Sequence, residues 1–450
     1  MTWISYNFHQ AWLDVKSYSV SSKPGIVTFI EHDSSNFLNH QLVLEGDAFE
    51  RGRLAGERTK HLLARQEGEL IQTLKEFFPS KLLQWSLSAF AIELFWDITK
   101  IIDYRHLQEM AGVSLSTSSN FNYLGDPFLR QIAYHGVHEA GQAMIDSGYN
   151  IESPMACTAF AVRSPDGTWM IGRNFDFEAS RTLDEEKIIK WTFPSNLNAY
   201  VAVTWAGMVG VVTGLNEKGL FISINAAGSE YFQAIALPSN LLVTKILEEA
   251  SSIEEALEIF QSTDIPITDI FLLADSTTQR IFLIEKAASQ TSIKELNTST
   301  AISNHLRLDL KDDPTNKKRM NRSNSPQRLA RGEELIRGNR GKRITPELLQ
   351  SWLRDRSGSK NTKYDLGDRR AIDALVATHS VIFDMKNDIL FASSGPSLVG
   401  EYEGYKIKDS FLMRQPILAR RLPKDPLIDK ETYASLQRKR HLEQKMKDEK

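Results

Sequence analysis

The spacing of apolar residues changes abruptly at Ala156, and that change limits the architectures open to this chain. Before it, residues 47–78 and 129–145 are rich in Glu, Arg, Leu and Ala at helical spacing, so residues 1 to about 150 read as mostly helical. After it come short runs rich in Val, Ile, Phe, Thr and Trp, at 158–163, 168–173, 200–205, 208–213 and 220–225. Turn sequences such as Pro165-Asp166-Gly167 and Asn216-Glu217-Lys218-Gly219 separate these runs, a pattern that predicts a hairpin-connected sheet. Residues 241–260 then read as two helical pieces, the second opened by Ser252 with Glu255 as a capping box. Strand texture returns at 270–274 and 280–285, the polar stretch 311–325 reads as a surface loop, and Thr345-Pro346-Glu347 opens a short helix. Late strands are expected at 381–383 and 389–392, and a charged helix or frayed tail from about 424. Helices, strands, helices and strands in separate blocks suit an α+β layered fold better than alternating βαβ units.

Composition narrows the functions. Of 450 residues, 41% are hydrophobic and 25% charged, enough for a sizeable core, and the net charge of −3 comes from mixed signs along the whole length. That gives no general electrostatic case for nucleic acid. Cys157 is the one cysteine, so an intramolecular disulfide and a thiolate metal cluster are both excluded. The first residues lack the basic region and unbroken apolar run of a secretory signal, so the expectation is a cytoplasmic protein, or a periplasmic or exported one whose true start has been trimmed. Residues 82–102 are strongly apolar, but Glu93 and Asp97 argue against a membrane span. His135 and His138 share a helix face without a third ligand, so no metal is expected, and Gly46, Gly52 and Gly56 do not form a phosphate-cradling loop. No cofactor is called for.

An unpaired cysteine is by itself more often a small buried hydrophobe than a nucleophile. Its surroundings change that reading. Cys157 stands where the helical leader ends and the first strand begins, in Ser153-Pro154-Met155-Ala156-Cys157-Thr158-Ala159-Phe160. The block Cys157-Thr158-Ala159-Phe160, a hairpin turn and Gly172-Arg173-Asn174-Phe175-Asp176-Phe177 resembles the start of the mature chain in choloylglycine hydrolases and in the penicillin acyltransferase family of self-processing peptidases. Asn216-Glu217-Lys218-Gly219-Leu220 leading to Asn225, then Ser303-Asn304-His305, Ser325 to Arg328, and Thr378-His379-Ser380-Val381-Ile382-Phe383-Asp384 have counterparts in the same order. Glu45-Gly46 and Glu50-Arg51-Gly52 with Gly56 resemble the leader motif of the penicillin-acyltransferase-like branch.

The resemblance implies a four-layer αββα N-terminal-nucleophile sandwich with a helical leader, residues 1–156, a catalytic domain, 157–423, and a charged tail, 424–450. It implies that Cys157 attacks the carbonyl of Ala156, that water resolves the thioester, and that the freed α-amine then serves the thiol as base. An α-amino group with an ordinary pKa of about 7.7–8.0 exchanges protons readily at neutral pH. By the same resemblance Asp176 orients the amine, Arg173 favours the thiolate, Asn225 and Asn304 stabilise the oxyanion, and Arg328 is a later active-site arginine. The residue types suit these tasks, since a fixed cation lowers a thiol pKa and preorganised amide donors stabilise a tetrahedral oxyanion. A surface Arg–Asp pair, turn asparagines and a solvated helix arginine are the competing readings.

The expected activity is hydrolysis of a linear amide carbon–nitrogen bond in an N-acyl small molecule through a thioester, with acyl transfer to another amine and a non-catalytic binding protein as rivals. The leader and catalytic chains are expected to stay associated after cleavage. The apolar segment 82–102 reads either as core or as a lipid entrance or peripheral membrane contact, which would go with a long acyl chain.

Overall fold

The computed structural model describes residues 25–32, 38–77, 80, 97–146, 156–177, 182–429 and 431–438. Most of the apolar segment 82–102 therefore lies outside the described residues, as do Glu93 and residues 151–155 before the expected cleavage point. Among the described residues no helix is long and apolar enough to cross a membrane.

Two sheets carry the fold. The larger has nine strands in the spatial order β1 (Ile26–Ile30), β2 (His40–Gly46), β5 (Ile188–Pro194), β6 (Tyr200–Thr204), β7 (Thr213–Asn216), β8 (Leu220–Ala226), β9 (Asp269–Asp275), β10 (Arg280–Lys286) and β11 (Thr291–Glu295). The smaller has seven, in the order β12 (Thr300–Ile302), β3 (Thr158–Arg163), β4 (Trp169–Asp176), β13 (Ala377–Asp384), β14 (Ile389–Ser393), β15 (Tyr402–Lys406) and β16 (Leu418–Leu422). Every neighbouring pair is antiparallel except β2 with β5.

Alternation along the strands feeds the three largest cores. Ala159, Ala161 and Ile171 meet Val201, Val203, Leu215 and Phe221 between the sheets. On the far side of the smaller sheet, Phe160, Val162 and Met170 pack against Leu349, Trp352 and Leu353. Those residues belong to the helix Pro346–Leu353, whose N-cap is Thr345, as the sequence predicts. On the far side of the larger sheet, Tyr200, Ala202, Ile222 and Ile224 pack against Leu241, Leu242, Ile246 and Phe260, on helices Ser239–Glu249 and Ile253–Ser262. Fully burying one such Leu, Ile or Phe contributes roughly 1.5–3 kcal/mol. Helix, sheet, sheet, helix is the expected αββα sandwich of an α+β chain.

Turn chemistry sets the hairpins. Gly167 in the β3–β4 turn and Gly219 in the β7–β8 turn have φ of +86° and +92°, a region that costs glycine nothing. Asn216 folds its side-chain oxygen back onto the amides of Lys218 and Leu220, while its amide donates to the carbonyls of Leu247 and Ala250. The turn is thereby fastened to the end of the outer helix.

Three expectations differ locally. The leader is not only helical: β1 and β2 join the larger sheet, and β2 reaches β5 in parallel register with Leu42 beside Lys190. The stretch 311–325 contains the helix Pro314–Arg322 rather than a loop, because Asp313 caps the amides of Thr315 and Asn316 and Pro314 occupies the first turn. The strand expected at 208–213 begins only at Thr213: Gly207 is left-handed at φ +77°, and Gly210 lies so close to Asn240 that a Cβ would stand 2.2 Å from its side-chain oxygen.

The leader helices α1 (Ala48–Arg58), α2 (Lys60–Phe77), α3 (Tyr104–Ser114), α4 (Pro127–His135) and α5 (Val137–Asp146) explain the leader glycines. A Cβ on Gly52 would stand 1.9 Å from the Glu109 carbonyl oxygen, and one on Gly112 would stand 2.2 Å from that of Phe49, so α1 and α3 cross backbone to backbone. Beside the crossing, buried Arg51 pairs with Glu109 at 2.5 Å, and Glu248 on the helix Ser239–Glu249 meets His106 at 3.0 Å and Arg105 at 2.8 Å. Burial alone would raise the Glu248 carboxyl, but His106, Arg51 and Arg105 hold it down to about 2. Residues 431–438 are helical, and Tyr433 joins Leu375, Val399 and Ile428 in a small core of their own.

Candidate active site

Cys157 stands one residue ahead of β3. The β3–β4 register pairs Thr158 with Asn174, which sets Cys157 against Phe175 and Ala156 against Asp176. The Ala156 N–H donates to the Asp176 carbonyl at 3.3 Å. Arg173 and Phe175 share one face of β4 with Ile171, towards the space between the sheets, while Asp176 turns to the other face with Asn174.

Arg173 crosses that space. Its guanidinium donates to the Val212 carbonyl at 3.0 Å, to the Thr213 hydroxyl and to the Ile224 carbonyl, all on the opposite sheet, and lies 4.6 Å from the Phe175 ring centre. These partners are carbonyls, a hydroxyl and an aromatic face. No carboxylate holds the fork, and the guanidinium is coupled by charge to the Cys157 thiol first and to Asp176 after it.

Asn225, at the end of β8, donates to the Ser303 carbonyl at 3.4 Å, and Asn304 donates to the Ala226 carbonyl at 2.9 Å. Each amide has a second N–H beyond the one used here. Arg328, on the helix Ser325–Gly338, bridges Thr158 at 3.2 Å to the Asn304 side-chain oxygen at 2.6 Å. Both asparagines therefore sit where β8 and the end of β12 approach the start of β3. All six residues singled out from the sequence, Cys157, Arg173, Asp176, Asn225, Asn304 and Arg328, converge on one end of the sandwich.

The electrostatics follow from enclosure. Cys157 has no solvent exposure in the uncleaved chain, in contrast to a thiol at an open pocket mouth. Burial pushes the thiol above its ordinary value, and Arg173 and Arg328 pull it back without overcoming that penalty. Burial likewise brings the Arg173 guanidinium down to about 10 and lifts the Asp176 carboxyl to about 7, against the pull of Arg328, Arg369 and Arg173. One Asp176 carboxyl oxygen has no hydrogen-bond partner among the described residues. A new ammonium at residue 157 would supply a counter-charge close by.

Residues 162–387, half of the chain, match the family model described as acyl-coenzyme A:6-aminopenicillanic acid acyl-transferase. The chain belongs to this family. Membership places it within the N-terminal-nucleophile group of amide hydrolases and acyltransferases. The matched span of the acyl-transferase family holds five of the six side chains, and Cys157 precedes it by five residues.

Among solved structures, the chain is similar to a Caenorhabditis elegans N-acylethanolamine-hydrolyzing acid amidase ortholog, with TM-score 0.37 and 16% identity, covering 51% of this chain and 93% of that one. A variant of conjugated bile acid hydrolase from Clostridium perfringens gives 0.38 and 13%, covering 61% and 100%. A second variant of that hydrolase gives 0.34 and 14%, covering 53% and 89%. At these values the superpositions add nothing to the fold, which rests on the layers themselves. No curated protein matches the sequence.

The two histidines of the leader do separate work. A break at Gly136 divides α4 from α5. His135 accepts the Val209 N–H at 3.0 Å, and His138 meets the Asp269 carboxylate at 3.1 Å. Among the described residues no group of three or more His, Cys, Asp or Glu side chains is arranged to hold a metal ion. Sequence reasoning missed Thr213, His379 and Asp373 around the site. The signal for Thr213 was a polar residue closing an apolar run, and for His379 its place in the Thr378-His379-Ser380 block, to which no role had been attached.

Proposed function

We propose that this member of the acyl-transferase family cuts its own chain between Ala156 and Cys157 and then hydrolyses the amide bond of an N-acyl small molecule through a thioester on Cys157. The observation that supports it is the convergence of Arg173, Asp176, Asn225, Asn304 and Arg328 on a fully buried cysteine at the start of a strand. In the first step the thiol sulfur attacks the Ala156 carbonyl, the peptide nitrogen leaves as an amine after taking a proton, and water releases the Ala156 carboxylate. The new amine then accepts the thiol proton for attack on the substrate carbonyl and returns it to the departing amine; water, giving its proton to the same amine, next cleaves the thioester, so that the acid leaves and the thiol is restored. The asparagine amides and Arg328 meet the charge on the tetrahedral oxygen.

The expected products are fragments 1–156 and 157–450, read by intact mass and N-terminal sequencing. Cys157→Ala should abolish both cleavage and amide hydrolysis, whereas Cys157→Ser should keep some cleavage and lose most hydrolysis. An intact single chain that hydrolyses amides, or full activity of Cys157→Ala, would overturn the reading. The leader stays bound in this reading, a view supported by the β2–β5 pairing and by the Glu248 charge network that joins the two parts.

A second reading, acyl transfer, is favoured by the description of the family itself. Product analysis with an added amine acceptor separates the two. A non-catalytic member would yield one chain and no product.

A further inference from the structure

The Arg173 guanidinium is one of two cations, with Arg328, that act on the thiol, yet its fork is held by the opposite sheet and not by a carboxylate. The Thr213 hydroxyl accepts from that fork and lies 2.9 Å from Nε2 of His379. A hydroxyl has one proton to give. With Thr213 already accepting from Arg173, the arrangement that leaves the fewest polar atoms unpaired sends the hydroxyl proton to Nε2 and places the ring proton on Nδ1.

His379 is itself fixed. It sits beside an irregularity in the β13–β4 register, stacks on Phe175 at 5.2 Å between ring centres and 26° between planes, and lies 5.8 Å from Trp205. It is fully buried, and the charged groups acting on it are the cations Arg173 and Lys187, so it is held in its neutral form. A carboxylate in place of Thr213 would hold the guanidinium equally well but would cancel its charge, and a protonated imidazole would add a second buried cation. An uncharged hydroxyl–imidazole pair avoids both.

We propose that Thr213 and His379 are positioning residues that aim the undiminished Arg173 guanidinium at the Cys157 thiol. The inference rests on Cys157 being the nucleophile. Because Cys157 is the only cysteine, its alkylation by iodoacetamide, followed by intact mass across a range of pH on the protein expressed as the full chain and purified after cleavage, reports the thiol directly. The groups that face that thiol, Arg173, Asp176 and Arg328, together with the α-amine that cleavage frees on the same residue, remain in every variant.

Thr213→Val and His379→Phe should each move the alkylation profile upward by about one pH unit, about a tenfold slower reaction at neutral pH. Thr213→Ser, which keeps the hydroxyl, should follow the parent. The two sites give independent variants, so a failure of one to fold leaves the other decisive. Profiles of folded Thr213→Val or His379→Phe that coincide with the parent, or a Thr213→Ser profile displaced as far as that of Thr213→Val, would overturn the relay. Full amide hydrolysis by Cys157→Ala would instead remove the nucleophile on which it rests, a separate outcome.

Discussion

Asp176 offers a quantitative test that needs no substrate. Its carboxyl is buried and lifted from an ordinary 3.8 to about 7 in the uncleaved chain. Between these values the folded state binds a proton that the unfolded state has released, so stability falls as pH rises from about 4 to about 7 and is level on either side. Three units at 1.36 kcal/mol each set an upper bound of about 4 kcal/mol. The experiment uses Cys157→Ala, which lacks the proposed cleaving thiol, with and without Asp176→Asn, unfolded by urea at intervals from pH 4 to pH 9. Asp184 and Glu186 are also raised to about 7, so the parent will carry their slopes as well. The difference between the two proteins removes those. That difference should move in favour of Asn by up to about 4 kcal/mol between pH 4 and pH 7 and then stay constant. A constant offset would reflect only the new amide's contacts with Arg328 and Arg369. A difference that does not change with pH would refute the view that the precursor buries this carboxyl without adequate compensation.

Other expectations are simpler. Asn304→Ala and Arg173→Ala, assayed on correctly processed protein, should slow turnover on the order of 100- to 1000-fold while changing the urea midpoint far less; rates within a few-fold of the parent would return both to structural roles. Gly52→Ala should cost about 1–3 kcal/mol or more in the same unfolding assay, since its Cβ would meet the Glu109 carbonyl at 1.9 Å, and an unchanged midpoint would mean that α1 and α3 can move apart. N-acyl amides that differ only in chain length, tested below their aggregation limit, should be cleaved with specificity that rises with length. A flat or falling profile would point to a small polar substrate.

The sandwich was legible because its strands announce themselves locally. Val201 and Val203 alternate with Tyr200 and Ala202, and each face has a separate core to enter. The six candidate residues were picked out by family resemblance, and Cys157, Arg173 and Asp176 fall on one hairpin whose turn fixes the register. What escaped lies where distant segments decide. β2 has its partner nearly 150 residues away in β5, and no periodicity inside a helix-rich leader reveals such a pairing. The charge of 311–325 outweighed a good capping signal, Asp313-Pro314, although a cap needs only one side chain. Thr213 and His379 come from strands of different sheets and meet only when the layers close.

The parallel seam between β2 and β5 bears on how this protein can be handled. A gene shortened to begin at Cys157 would leave β5 with one side of its backbone ladder unpaired along seven residues. It would also leave Glu248, fully buried, without Arg51, Arg105 and His106. A long, apolar, open sheet edge beside an uncompensated carboxylate favours association with other copies over folding. Strands β1 and β2 are then less a wrapper to be discarded than a part of the larger sheet's hydrogen bonding, and making the two pieces as one chain keeps that edge paired as it folds.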